Sequence, residues 1–166
     1  MQVEGDEGAL GWISEVRLAR AGHRAEHDAM FQLHARLAED SVHITDLPLS
    51  QLRLARDARF PWAILVPAKP GLREVHELTP EDQGRLMAEI VMVSRALERL
   101  HGPDKINLGA LGNLVPQLHV HVIARFVDDA AWPGPVWGVG TAEAYGDEDL
   151  AAACQKLKAA VTTAGV

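Results

Sequence analysis

Gln117, His119, His121 and Arg125 fall two or four residues apart, with Leu118, Val120, Val122 and Ala124 between them. A strand turns successive side chains to opposite faces, so this spacing puts the polar set on one face and the apolar set on the other. The segment is therefore expected to lie as a strand against an apolar layer while presenting two imidazoles and an amide on its other side. An apolar reverse face holds such a strand rigidly, as a positioned reactive group requires.

The rest of the pattern supplies the layers. Met30, Leu33, Leu37 and Ala38 have helical spacing, which predicts a short helix over 30–39. Strand-like runs follow at 42–45, 51–56 and 62–66, separated by Pro48 and by the 57–61 segment, so a meander is expected. The alternation Gln51-Leu52-Arg53-Leu54-Ala55-Arg56 reads as a half-buried strand. Thr79 then suits a helix N-cap, Pro80 the first helical position, and Glu81 and Asp82 the positive helix end. Leu86, Ile90, Val93, Leu97 and Leu100 form one apolar stripe, ended by Gly102 and Pro103. Strands over 105–111 and 117–126 and a helix over 147–161 complete the chain. Strands grouped around one central helix, without βαβ alternation, predict an α+β fold: a mostly antiparallel sheet of about five strands, a central helix and a C-terminal helix.

Residues 29–166 read as a single domain. Gly5, Gly8, Gly11 and Gly22 interrupt the preceding segment, 1–28, and leave an appendage, a short helix and a mobile tail equally open. A net charge of −7, from 16 Lys+Arg against 23 Asp+Glu, argues against polymeric nucleic acid or anionic lipid as partners. A small phosphate ligand stays compatible, because a pocket can be locally positive. Cys154, the one cysteine, can form neither an internal disulfide nor a multi-cysteine metal site. No apolar run is long enough to span a bilayer, and the acidic start is not a secretory signal, so a soluble cytoplasmic protein is expected.

The chemistry is carried by Gly112-Asn113-Leu114-Val115-Pro116-Gln117-Leu118-His119-Val120-His121-Val122-Ile123. In register, this run resembles the signature of the histidine triad (HIT) superfamily of nucleotide hydrolases and transferases, Gly-Gln-Ser/Thr-Val-x-His-x-His-x-His plus two apolar residues. The likeness extends more loosely upstream through Asp57, Leu65-Val66-Pro67, Lys69-Pro70 and Leu78-Thr79-Pro80-Glu81, covering about residues 30–126. Gln117 stands at the first histidine, Asn113 at the usual Gln and Leu114 at the hydroxyl residue. The chain is thus similar to a bacterial branch carrying a Gln-x-His-x-His variant.

The resemblance implies a HIT-like fold and a two-fold homodimer. It also implies hydrolysis, or transfer, of dinucleoside polyphosphates or nucleoside phosphoramidates through a nucleotidyl-histidine intermediate. His119 matches the attacking histidine, and a neutral imidazole is a competent nucleophile near neutral pH. His121 matches the histidine that binds and neutralises the phosphate. Gln117 keeps hydrogen-bonding capacity but cannot exchange a proton. Asp57 resembles the acid that receives ribose hydroxyls, though a turn role suits it equally; Asn107 and Asn113 could donate to phosphate oxygens or serve turns and strand ends. Arg125 is assigned a structural role.

No cofactor or metal is required by that chemistry. Adventitious Zn²⁺ or Ni²⁺ at His119 and His121 is a further reading, since two histidines on one strand face can chelate a metal. A nucleotide-binding module without turnover is another. Pro133 and Pro135 are expected to keep the 129–138 segment extended, presenting Trp132 and Trp137 from a loop, with Trp137 packed against the sheet or, alternatively, covering a base or lining the pocket.

Overall fold

A computed structural model of the chain describes residues 30–164; the expectation for 1–28 falls outside them. The chain divides into two compact units, and the one spanning 33–68 and 72–166 contains every element below. Five strands, β1 (Ser41–Asp46), β2 (Ser50–Ala55), β3 (Trp62–Pro67), β4 (Lys105–Gly109) and β5 (Val120–Arg125), form one sheet in the order β1-β2-β3-β5-β4. All neighbouring strands are antiparallel. With helices α1 (Ala35–Asp40), α2 (Pro80–His101) and α3 (Asp147–Ala164), this is the α+β fold that the sequence predicts.

Helix α2 forms where its signals place it. The Thr79 hydroxyl oxygen accepts the Asp82 N–H at 3.2 Å, and Gly102 takes the left-handed conformation (φ +59°) that ends the helix with least steric cost. Its buried Leu86, Ile90, Val93 and Leu97 share one core with Leu118, Val120, Val122 and Ala124, and with Leu52, Leu54, Ala63 and Leu65 of the central strands. Each of the leucine, isoleucine and valine side chains contributes about 1.5–3 kcal/mol when fully buried, so this layer anchors β5 firmly. Leu157 and Val161 of α3 join the same core, and the Arg99 guanidinium of α2 donates to the Ala160 carbonyl. The Glu89 carboxylate, also on α2, accepts the Leu49 and Ser50 N–H groups and so ties the β1–β2 turn to the helix.

Four local expectations need correction. The first helix starts at Ala35 rather than Met30, because the His34 ring nitrogen caps it by accepting the Arg36 N–H. Strand β2 is covered on both faces: Arg53 is buried and satisfied by the Ser41 hydroxyl (2.7 Å) and carbonyl (3.1 Å). Gln117 and His119 precede β5, whose ladder begins at Val120. The 129–138 segment is not extended but folds into turns, with the Trp132 N–H donating to the Asp129 carbonyl and the Val139 N–H to the Val136 carbonyl.

These turns matter because they cover the sheet face opposite the helices. Phe60, Ile123, Ala131 and Val136 make a second buried cluster there, with Trp62, Trp137 and Val139 packed against it. The polar face of β5 is therefore an enclosed surface.

Candidate functional site

Across the sheet, His121 on β5 lies between Ile64 on β3 and Gly109 on β4. The absence of a side chain at Gly109 admits the Trp137 ring: a Cβ there would come within 2.5 Å of Cη2 and 3.0 Å of Cζ2. Trp137 meets His121 edge-on, with ring centroids 5.5 Å apart, and meets Trp62 in the same manner at 6.1 Å. The His119 and His121 rings are 4.9 Å apart and nearly perpendicular. Both histidines are 7% exposed. They sit on the face predicted, away from the apolar layer, but the aromatic cover leaves each only a narrow opening.

Hydrogen bonds give the two imidazoles opposite tautomers. A carbonyl oxygen can only accept, so at 2.7 Å the His119 Nδ1–H donates to the Gln117 carbonyl, and Nε2 of the neutral ring keeps its lone pair. An indole N–H can only donate, so at 2.9 Å Trp62 Nε1–H donates to His121 Nδ1, and the His121 proton sits on Nε2. Burial, followed by the neighbouring His119 charge, pushes the His121 pKa down to about 3. At neutral pH His121 is thus an uncharged hydrogen-bond donor beside a ring whose free nitrogen can attack.

Gln117 joins this group through its backbone carbonyl, while its side-chain Oε1 accepts the His34 N–H at 2.9 Å. The other predicted residues are arranged differently. The Asp57 carboxylate turns to Arg59, whose Nε and Nη2 donate at 2.9 and 2.6 Å, and it also accepts the Arg59 and Glu143 backbone N–H groups. Burial raises its pKa, but these donors outweigh that effect and hold it below the usual carboxylate range. Asn107 gives its side-chain oxygen to Arg125 Nη1 at 2.6 Å, which leaves donation to its amide nitrogen. Asn113 is exposed, in the connection between β4 and β5.

Arg125 is structural, as expected. Only 1% exposed in its side chain, it donates from Nε and Nη2 to the two Asp129 oxygens at 2.6 and 2.9 Å, and to the Gly134 carbonyl. It thereby ties β5 to the turns that carry Trp137. Among the described residues, no group of three or more His, Cys, Asp or Glu is placed to hold a metal ion, and no helix is long and apolar enough to cross a membrane.

Trp62 and Gly109 escape sequence reasoning. Alternation within 62–66 does put Trp62 on the Ile64 face, but which strand pairs with which, and in what register, is not written in either segment.

An open five-stranded antiparallel sheet with a histidine pair at the entry to an interior strand, β5, defines a histidine triad architecture. Residues 36–128 match the HIT domain, and the chain belongs to that family. A histidine triad protein structure from Bradyrhizobium japonicum is 47% identical, covering 80% of this chain and 99% of its own, with TM-score 0.78. One from Sinorhizobium meliloti is 49% identical over 76% of this chain and 94% of its own, with TM-score 0.75. One from Marinobacter aquaeolei is 44% identical over 81% and 98%, with TM-score 0.79. No curated protein matches the chain.

Proposed function

We propose that the protein is a nucleotide-binding HIT enzyme that hydrolyses a nucleoside phosphate derivative through a covalent intermediate on His119. The observation that carries this reading is the His119 Nδ1–H···Gln117 carbonyl bond, which leaves the Nε2 lone pair as the nucleophile. That lone pair attacks the α-phosphorus, and a P–N bond forms as the bond to the leaving group breaks. A polyphosphate oxygen departs as the anion with that electron pair, whereas an amine departs neutral after its nitrogen has taken a proton from solvent. Water then displaces the imidazole, releasing the nucleoside monophosphate and restoring the lone pair. The His121 Nε2–H donates to a phosphate oxygen, and the surrounding rings exclude competing water. Dinucleoside polyphosphates and nucleoside phosphoramidates are the substrate classes, with transfer to another acceptor as a variant of the second step.

No cofactor is needed in this scheme. Asn107 and Asn113 are assigned to phosphate oxygens through their amide nitrogens. Asp57 is assigned to one ribose hydroxyl at Oδ2, the oxygen with fewer donors from the protein. A cytoplasmic homodimer completes the reading. One observation favours a second reading, a nucleotide-binding module without turnover: Gln117 cannot supply a proton to a poor leaving group.

Turnover of a panel of labelled adenylates, followed by intact-mass analysis, tests the two readings. An adenylyl adduct on wild type that disappears in His119→Ala supports the enzyme. Nucleotide binding with neither adduct nor turnover transfers the assignment to the binding module.

A further inference from the structure

We propose that Trp62 is a positioning residue of this site: its indole N–H fixes His121 in the tautomer that carries its proton on Nε2, facing the phosphate rather than the protein. This deepens the proposed function and rests on that reading for its catalytic consequence, though not for the tautomer itself.

The argument begins with the donor inventory. Trp62 opens β3 two residue pairs away from the Ile64–His121 pair, so both side chains share the enclosed face. Its Nε1–H lies 2.9 Å from His121 Nδ1, with the ring centroids 5.3 Å apart at a steep angle. Because indole has no acceptor, a proton on His121 Nδ1 would set N–H against N–H in a pocket where His121 is almost fully covered. Neutral imidazole carries one proton, and here only Nε2 can hold it without that conflict.

Trp137 keeps the arrangement from relaxing. Its ring packs edge-on against both partners, and it is itself seated over Gly109. The consequence differs from what the family resemblance implies for the third histidine. Here His121 binds phosphate as a neutral donor and does not neutralise it, so its contribution depends on which nitrogen bears the proton. A free imidazole in water samples both tautomers; Trp62 removes the unproductive one.

Long-range proton–nitrogen NMR correlation on the ¹⁵N-labelled wild-type protein at pH 7 reads the tautomer directly. His121 is expected to show an unprotonated Nδ1 and a protonated Nε2; the reverse pattern would overturn the proposal without any variant being made. Trp62→Phe keeps an aromatic ring and removes the donor. In it, the His121 nitrogens are expected to move toward a tautomer mixture, whereas an unchanged pattern in the folded variant would also overturn the proposal. On an adenylate substrate, the same variant should lower kcat about tenfold and change KM by less than about threefold, because the interaction is lost chiefly in the transition state. A kcat unchanged alongside a disturbed tautomer would reject the catalytic role. If wild type turns over no nucleotide, it is the enzyme reading that fails, and the NMR result stands apart from it.

Discussion

His119 donates its Nδ1–H to the backbone carbonyl of Gln117, 2.7 Å away, so the bond that sets the tautomer of the candidate nucleophile does not depend on the side chain at 117. This is how the site keeps an attacking nitrogen despite the altered triad. What changes at 117 is proton supply, together with the bond from the His34 N–H to Gln117 Oε1. Gln117→His is therefore expected to leave the His119 tautomer intact and to raise turnover most for substrates with amine leaving groups, which need a proton. Polyphosphate substrates, whose leaving groups are already stable anions, should respond less. Comparing kcat for the two classes in wild type and variant measures this directly; an equal rise for both would show that proton supply is not what Gln117 lacks.

His121 links the site to stability. Its folded pKa, about 3, lies below its unfolded value near 6.5, so the unfolded chain binds the extra proton between those pH values. The contribution is fully present above pH ~6.5 and is lost progressively as the pH falls toward 3, at no more than roughly 1.4 kcal/mol per pH unit. His119, in ring contact with His121, is the neighbouring titratable group that adds to this cost when charged. Urea midpoints between pH 7 and pH 4 should therefore fall for wild type, and fall less steeply for His121→Phe. Parallel slopes would mean that His121 takes up its proton without opening the pocket.

Gly109→Ala probes the aromatic cover. The new methyl would lie 2.5 Å from Trp137 Cη2, and that ring is held between His121 and Trp62. Overpacking of this kind typically costs about 1–3 kcal/mol, against a gain of roughly 0.5–1 kcal/mol from replacing glycine in a strand. The variant should melt several degrees lower, with altered tryptophan fluorescence. An unchanged Tm would show that the Trp137 turn moves aside freely.

The layer holding β5 was legible because alternation and helical spacing are local signals: Val120, Val122 and Ala124 go inside, and Leu86, Ile90, Val93 and Leu97 meet them. The shared face of the histidine pair was legible for the same reason, whereas singling the pair out rested on the likeness of residues 112–123 to the HIT signature. Of the cover over the pair, Trp137 was legible only as a loop tryptophan packed against the sheet, and Trp62 not at all. Trp62 reaches His121 through the β3–β5 register, and Trp137 reaches it through turns after β5, and neither relationship is encoded near the residue concerned. Asp57 illustrates the complementary difficulty: a carboxylate followed two residues later by Arg59 can serve a ligand or its own neighbour, and the geometry pairs it with the neighbour. The half-buried reading of β2 failed similarly, since Arg53 finds its partners on β1 rather than in water.

The Arg125–Asp129 pair offers the clearest separation of structural from chemical roles. Both side chains are inaccessible, at 1% and 4%, and the carboxylate also accepts the Phe126 and Ala131 backbone N–H groups. Hydrogen bonding from Arg125 holds the Asp129 pKa down to about 2 against the opposing effect of burial. That depressed value makes its contribution fully present above the unfolded pKa near 4 and lost as the pH falls through 2. Asp129→Leu would leave a buried guanidinium with the Asn107 and Gly134 oxygens as hydrogen-bond partners and the Trp132 ring 5.8 Å away, a loss of roughly 3–5 kcal/mol by analogy with other broken buried pairs. Arg125→Met strands the carboxylate instead, but the two backbone N–H donors to Asp129 remain, so its loss should be smaller. Removing both partners should cost less than the sum of the single changes, because each single variant already carries the penalty of one unpaired charge. Denaturant unfolding of the two single variants and the double variant measures that coupling. Strict additivity would mean that the pair is not a unit, and would leave the Trp137 turn anchored by its apolar contacts and by the Arg59 hydrogen bond to the Val139 carbonyl.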